Sequence, residues 1–258
     1  MRVFNILFIA MMIMATAAAN AEAGVLVTPD RHILELSPGE EKAVEYQIYN
    51  SGPDDLHITV DPKAWAGTKD TRFWISLKED MIELKANDTK PLKVTVTAPA
   101  DVKGEMLAML FLCYKESEDS ALNIRNGIPL YLIIEGTKEY GAEIKDVGLI
   151  YKKEAKKKDL NLDIEVQNTG NVHIVPDIKV SITDEKDKEV KRFVLEEAKT
   201  LLRGQDHTFS LIWRYPGLSN GDYKVVAEIV YGDKLEKIRH ISAFSFKDGD
   251  IKVIKDGA

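Results

Sequence analysis

From Gly24 onward, apolar and polar residues alternate with a period of two far more often than with a helical period. Val44, Tyr46 and Ile48 alternate with polar neighbours, as do Leu92, Val94 and Val96, then Leu160, Leu162, Ile164 and Val166. Alternation sends successive side chains to opposite faces of a strand, so these segments read as half-buried β-strands. Turn signals separate them: Ser37-Pro-Gly39, Asn50-Ser-Gly-Pro53, Lys103-Gly104, Asn168-Thr-Gly-Asn171, Arg203-Gly204, Asn220-Gly-Asp222 and Asp248-Gly249. Short strands at this spacing predict an all-β chain of sandwich type. Only Val194 to Leu202 reads as helix, and it reads equally well as a strand plus a loop.

Two stretches share one grammar. Tyr46-Gln-Ile-Tyr-Asn-Ser-Gly52 and Ile164-Glu-Val-Gln-Asn-Thr-Gly170 align with Asn168 standing 118 residues after Asn50. Each is an alternating strand that ends in Asn-(Ser/Thr)-Gly and resumes as a strand with a histidine, His57 or His173. Two tandem immunoglobulin-like sandwiches of about one hundred residues each would fill such a chain. The boundary is expected in Gly136-Thr-Lys-Glu-Tyr-Gly-Ala142, giving domains over 24–136 and 142–254. Tyr223, just after Gly221-Asp222, predicts a tyrosine corner. Met106 holds the equivalent place in the first half, so the corner is expected once.

The first residues follow a different pattern. Arg2 precedes a largely apolar stretch from Phe4 to Ala15, and small residues end in Ala19-Asn20-Ala21 and Ala21-Glu22-Ala23. This predicts a cleaved secretory signal peptide over 1–23. No later segment approaches 18 consecutive apolar residues, so the mature chain is expected not to span a membrane.

Composition removes several classes of function. The 258 residues carry 35 Lys and Arg against 42 Asp and Glu, a net charge of −7. That balance argues against nucleic acid as a partner, because such binding relies on neutralising phosphates. One cysteine excludes an intramolecular disulfide or a cysteine-cluster metal site. Cys113 lies in the unbroken apolar run 106–113 and is expected to be a buried small hydrophobe.

Local spacing assembles no chemistry. Gly217-Leu-Ser-Asn-Gly221 matches an esterase elbow in letters, but no helix follows it. The five histidines (32, 57, 173, 207, 240) have no zinc spacing. The stretch 184–189 lacks the glycine and terminal glutamate of a calcium loop. No catalytic, cofactor-binding or metal-ligating residue is therefore predicted, and the chain reads as a non-enzyme without cofactors. Lys152, Lys153, Lys156, Lys157 and Lys158 read as a solvated hairpin tip, with an anionic surface as the other reading. Asn87-Asp-Thr89 is a formal sequon.

Several features in order carry a resemblance. Arg31 sits in a first strand reading TPDRHILEL, followed by the Pro38-Gly-Glu40 turn, the 50–52 turn, the strand 106–113 and a last strand from Ile128 to Ile134. Over roughly 25–135 the chain resembles the PapD-like periplasmic pilus chaperone superfamily. The second half is similar to bacterial surface sandwiches of the Asn-x-Gly-Asn-Val-His type, also found in WxL-associated proteins. The resemblance implies a periplasmic chaperone that binds β-rich pilus or surface subunits with exposed strand edges, by strand addition. It implies that Ile128, Leu130, Leu132 and Ile134 act as donor-strand residues, and that Arg31 is a basic anchor for a subunit carboxylate. Pro129 stands where the family has its second basic anchor, leaving Arg125 as the substitute. The other reading of the same residues is that the apolar four fill the protein's own core and Arg31 is a solvated strand end. The alternative function is a non-enzymatic envelope or surface binding module, built around Trp65 in the loop-like Pro62–Gly67.

Overall fold

The computed structural model describes residues 24–65, 68–115, 121–154, 157–196 and 199–254. The expected signal peptide lies outside the described residues, as does most of the acidic loop after Tyr114. The chain divides into two compact units: one holds the residues before Lys103 together with Met106–Gly136, the other holds Lys103–Glu105 and everything from Thr137 on. Both are β-sandwiches, and the chain is all-β.

In the first unit, nine strands follow the alternation: β1 (Val25–Thr28), β2 (His32–Leu36), β3 (Glu41–Asn50), β4 (Leu56–Ala64), β5 (Ile75–Leu77), β6 (Met81–Leu84), β7 (Thr89–Thr97), β8 (Glu105–Tyr114) and β9 (Ile124–Ile134). They form one sheet in the order β1-β3-β7-β5 and another in the order β2-β9-β8-β4-β6. The chain crosses from the first sheet to the second between β1 and β2, at the cis Thr28-Pro29 peptide. Tyr46, Ile48, Val94, Val96, Leu110, Leu112, Leu130 and Leu132 meet between the sheets as one apolar core. Trp74 closes it, 2% exposed.

The second unit repeats the plan with β10 (Ala142–Glu154), β11 (Lys157–Asn168), β12 (Asp177–Asp184), β13 (Glu189–Leu195), β14 (Asp206–Arg214), β15 (Gly221–Tyr231), β16 (Glu236–Lys247) and β17 (Asp250–Ile254). Its sheets run β10-β11-β14 and β13-β12-β15-β16-β17 around a separate core. Of the ambiguous stretch 194–202, Val194 and Leu195 end β13 and Leu201 bridges to Ile174, while residues 197 and 198 lie outside the described residues.

The two Asn-(Ser/Thr)-Gly turns have the same internal wiring. Asn50 Oδ1 accepts the Gly52 N–H at 2.9 Å, and its Nδ2 donates to the carbonyls of Asp54 (2.8 Å), Lys85 (3.1 Å) and Leu84 (3.5 Å). Asn168 Oδ1 accepts the Gly170 N–H at 2.9 Å, and its Nδ2 donates to the carbonyls of Val172 (2.8 Å) and Leu201 (2.9 Å). Both side chains are buried. Each amide ties its own turn to a loop more than thirty residues away, which is why the motif recurs once per sandwich. Gly170 adds a steric reason for glycine, since a Cβ there would lie 2.4 Å from the Glu139 carbonyl oxygen.

The tyrosine corner forms where expected. Tyr223 Oη donates to the Ser219 carbonyl at 2.9 Å and accepts the Ser219 N–H at 3.1 Å. Ser219, the serine of the esterase-like match, is thus a corner residue. Tyr223→Phe is expected to cost the second unit about 1–2 kcal/mol, the value of the lost hydrogen bonds. Urea unfolding checks this, and a change under about 0.5 kcal/mol would show that the corner contributes nothing.

Cys113 corrects an expectation. It is half-buried rather than buried. The run 106–113 is apolar on both faces of β8: Met106, Ala108, Leu110 and Leu112 enter the core, while Met109, Phe111 and Cys113 take the opposite face. An unbroken apolar run hides this difference, because alternation is the signal that separates faces.

Candidate functional site: the uncovered edge of β9

Strand β9 has eleven residues, but its outer neighbour β2 has five. The two run parallel, with His32 opposite Leu130 and Leu36 opposite Ile134. The Glu135 N–H donates to the Leu36 carbonyl at 2.9 Å, which fixes which residues turn their backbone toward β2. By strand alternation these are Ile133, Tyr131, Pro129, Gly127 and Arg125. Beyond His32 no described strand lies on that side. The N–H and C=O groups of Arg125 and Gly127 therefore line an uncovered edge. Pro129 sits where cover ends, and its missing N–H is on the β2 side, a placement proline tolerates at a sheet edge.

The side chains of β9 are held from behind. Ile128, Leu130, Leu132 and Ile134 enter the first unit's own core, none more than 4% exposed. Ile124 packs against the same core at its rim. Asn126 Nδ2 lies 3.4 Å from the Val25 carbonyl and 3.4 Å from Tyr114 Oη, and the Val25 N–H donates to Tyr114 Oη at 3.4 Å. Those two side chains occupy the outward backbone groups of Val25 on β1. They link the edges of the two sheets beside the uncovered stretch. Nothing in the spacing of Tyr114 and Asn126 signalled this clasp, because it depends on how the sheets stack.

On the solvent face, the Arg125 guanidinium lies over the Phe111 ring, 3.6 Å from its centroid, with Asp61 Oδ2 at 3.7 Å from Nη2. Gly127 leaves room for that stack: a Cβ there would stand 2.8 Å from Met109 Cε and 3.1 Å from Phe111 Cε1. Arg31 is exposed and pairs with its neighbour Asp30, Nη2 to Oδ2 at 3.2 Å. That hydrogen-bonded contact raises the Arg31 pKa and lowers the Asp30 pKa from their ordinary values. Each arginine singled out in the sequence thus already faces a carboxylate, Asp30 for Arg31 and Asp61 for Arg125.

The remaining features lie elsewhere. Trp65 is 41% exposed, just past the end of β4. Lys152, Lys153 and Lys158 lie near the tip of the β10–β11 hairpin, with Lys153 opposite Lys158, while Lys156 falls outside the described residues. His57 is exposed and His173 half-buried, so their shared place in the repeat gives them no shared environment. Asn87 takes a left-handed turn conformation, φ 56°. Among the described residues no helix is long and apolar enough to cross a membrane.

No family model and no curated protein matches the chain. Solved structures do. The class 5 fimbriae chaperone CfaA is 13% identical, with 84% of this chain and 98% of that one covered and a TM-score of 0.45. The Escherichia coli chaperone DraB is 12% identical, with 87% and 97% covered and a TM-score of 0.43. A chain of the CsuC–CsuE chaperone–tip adhesion subunit complex of Acinetobacter baumannii is 18% identical, with 73% and 91% covered and a TM-score of 0.39.

Proposed function

We propose that this protein is an exported, non-catalytic chaperone of the periplasm that holds β-rich pilus or surface subunits by strand addition along β9. One observation carries the reading: Arg125 and Gly127 turn their backbone donors and acceptors to a side that β2 leaves uncovered. An incoming strand there extends the sheet and satisfies those groups. The four apolar side chains of β9 serve as the strand's anchor, holding the edge in place so that little ordering entropy remains to be lost on binding.

Magnitudes decide what else the site needs. Two residues offer about four backbone hydrogen bonds, each about 1 kcal/mol net. That total corresponds to about millimolar affinity, and micromolar affinity needs about 4 kcal/mol more. Arg125 supplies part of it by exchanging its 3.7 Å contact with Asp61 for a closer carboxylate of the subunit. Arg31 serves as the second basic group, one residue before the point where β2 begins to cover β9.

The test is co-purification from the periplasm of the source organism, followed by substitution at the edge. Arg125→Pro removes one outward N–H at an exposed position without touching the buried side chains. It is expected to reduce recovered subunit about tenfold, with Arg125→Ala giving a smaller loss and thermal unfolding of both variants close to that of the parent. Equal recovery of subunit with Arg125→Pro would rule out this edge as the binding site.

A further inference from the structure

The second unit carries an open edge of its own, independent of β9. Strand β14 is nine residues long, about 30 Å, and closes the sheet β10-β11-β14. Among the described residues no strand lies beyond it. Two bonds fix which way its backbone points. The Tyr215 N–H donates to the Lys158 carbonyl at 2.6 Å, and the Asn168 N–H donates to the Gln205 carbonyl at 2.9 Å. The odd-numbered residues of β14 therefore turn their backbone groups to β11. By alternation, Asp206, Thr208, Ser210, Ile212 and Arg214 turn theirs to the open side. The side chains of these same residues are exposed, while Phe209 and Leu211 enter the core.

An open edge is normally blunted by bulges, prolines or lysines that keep it from pairing with another chain. The other outer strands of the second unit carry such devices. The β13 ladder shifts register between Ile182 and Thr183, and β13 holds Lys191 and Arg192. The β10 ladder shifts between Ile144 and Asp146, and β10 holds Lys145, Lys152 and Lys153. The short β17 holds Lys252. Strand β14 has neither proline nor lysine, and it pairs with β11 residue for residue from Asp206 to Arg214. Its ends are sharply set: Gly204 (φ 73°) and Tyr215 (φ 50°) take left-handed conformations that turn the chain on either side. The edge is regular, bounded and unprotected.

The order of its side chains selects the partner. Along the open side an acid stands at one end, a base at the other and Ser210 in the middle. Laid antiparallel on a second β14, about a two-fold axis at Ser210, Asp206 meets Arg214 and Thr208 meets Ile212, each contact occurring twice. Every opposed residue then points its backbone at the partner. Each pair exchanges both N–H···O bonds, about ten in all. The polar side chains leave this arrangement open. Lys145 Nζ lies 3.7 Å from Asp206 Oδ2, too far for a hydrogen bond, so the carboxylate still has room for a guanidinium. The Ser210 hydroxyl donates to Asp163 Oδ1 at 2.6 Å and leaves the Ser210 backbone free at the edge. A foreign strand would have to supply the matching charges, whereas a second copy of this chain already has them. We infer that β14 is a self-association edge, through which two copies pair antiparallel in the Asp206–Arg214 register and join their three-stranded sheets into one.

The experiment is sedimentation velocity of the full mature chain. A reversible monomer–dimer equilibrium is expected, with a dissociation constant of about 10–100 µM. Asp206→Arg sets two bases opposite each other at both ends of the pairing, and Arg214→Asp sets two acids there. Each variant alone is expected to weaken self-association at least about tenfold. An equal mixture of the two variants brings opposite charges together again at both ends, and is expected to dimerise within about threefold of the parent. Both positions are exposed, and circular dichroism melting checks that the variants fold. Hydrogen exchange supplies a second readout: the Thr208, Ser210 and Ile212 amides are expected to slow as the concentration rises. A chain that stays monomeric to about 300 µM would overturn the inference and leave the edge to a strand of another protein. Single variants that associate as the parent does, a mixture that stays monomeric, or a dimer that leaves those three amides unprotected would each overturn it as well.

Discussion

Asn168→Ala is expected to cost the second unit about 3 kcal/mol. The loss follows from burial rather than from the number of contacts alone. Asn168 is 0% exposed, and its amide satisfies two carbonyls and one backbone N–H. Alanine takes the side-chain partner from the buried Val172 carbonyl, at about 1–3 kcal/mol, and removes a second hydrogen bond from the Leu201 carbonyl and from the Gly170 N–H, at about 0.5–1.5 kcal/mol each, while these two keep the Ile174 N–H at 3.0 Å and the Gly141 carbonyl at 3.2 Å. Local relaxation and water entry recover part of this, so about 3 kcal/mol is the expected net. Asn50→Ala is expected to cost the first unit a similar amount, because Asn50 has the same wiring. Native-state hydrogen exchange reads the two units separately, through amides of β11 and β14 for one and of β3 and β7 for the other. A loss under about 1 kcal/mol at either site would mean that the turns hold without their asparagines.

Leu130→Ala is expected to cost the first unit about 3 kcal/mol, within the range of buried leucine truncations. Leu130 is fully buried in the core cluster with Leu110, Leu112 and Leu132. The exposed Leu26, at 60%, is the control, and Leu26→Ala is expected to change stability by no more than about 0.5 kcal/mol. This pair separates the two roles open to β9. Side chains that anchor the strand destabilise the free protein when truncated. Side chains kept available for a subunit weaken binding while the free protein melts as before. Unchanged melting of Leu130→Ala in chemical denaturation would show that β9 is not anchored in its own core.

The alternating segments were legible because a strand with one buried face writes a period of two into the chain. Tyr46 and Ile48, or Leu162 and Ile164, had no other economical reading, and all four are in the cores. The repeated asparagine was legible for a related reason: a buried amide that must tie one turn to a distant loop tolerates few alternatives. The β9 segment shows the boundary of this kind of inference. Ile128, Leu130, Leu132 and Ile134 alternate identically whether they fill their own core or a partner's, because periodicity reports a buried face and not whose core it enters. Cys113 fell on the unexpected face because the run around it was apolar on both sides.

The sequence by itself determined an all-β chain, the alternating strands around Tyr46, Val94, Leu130 and Leu162, the two pinned turns and the tyrosine corner. Each follows from local pattern or from a short motif whose backbone needs are met nearby. Only the tertiary structure decided where the edges are exposed. The uncovered stretch at Arg125 and Gly127 exists because β2 begins only at His32, opposite Leu130 in a parallel register, and leaves the first residues of β9 without a neighbour. Such openings are differences in length between neighbours far apart in sequence, and no residue in either strand encodes the difference alone. The single cysteine is consistent with both results: with no disulfide possible, each sandwich rests on packing and on its buried amide.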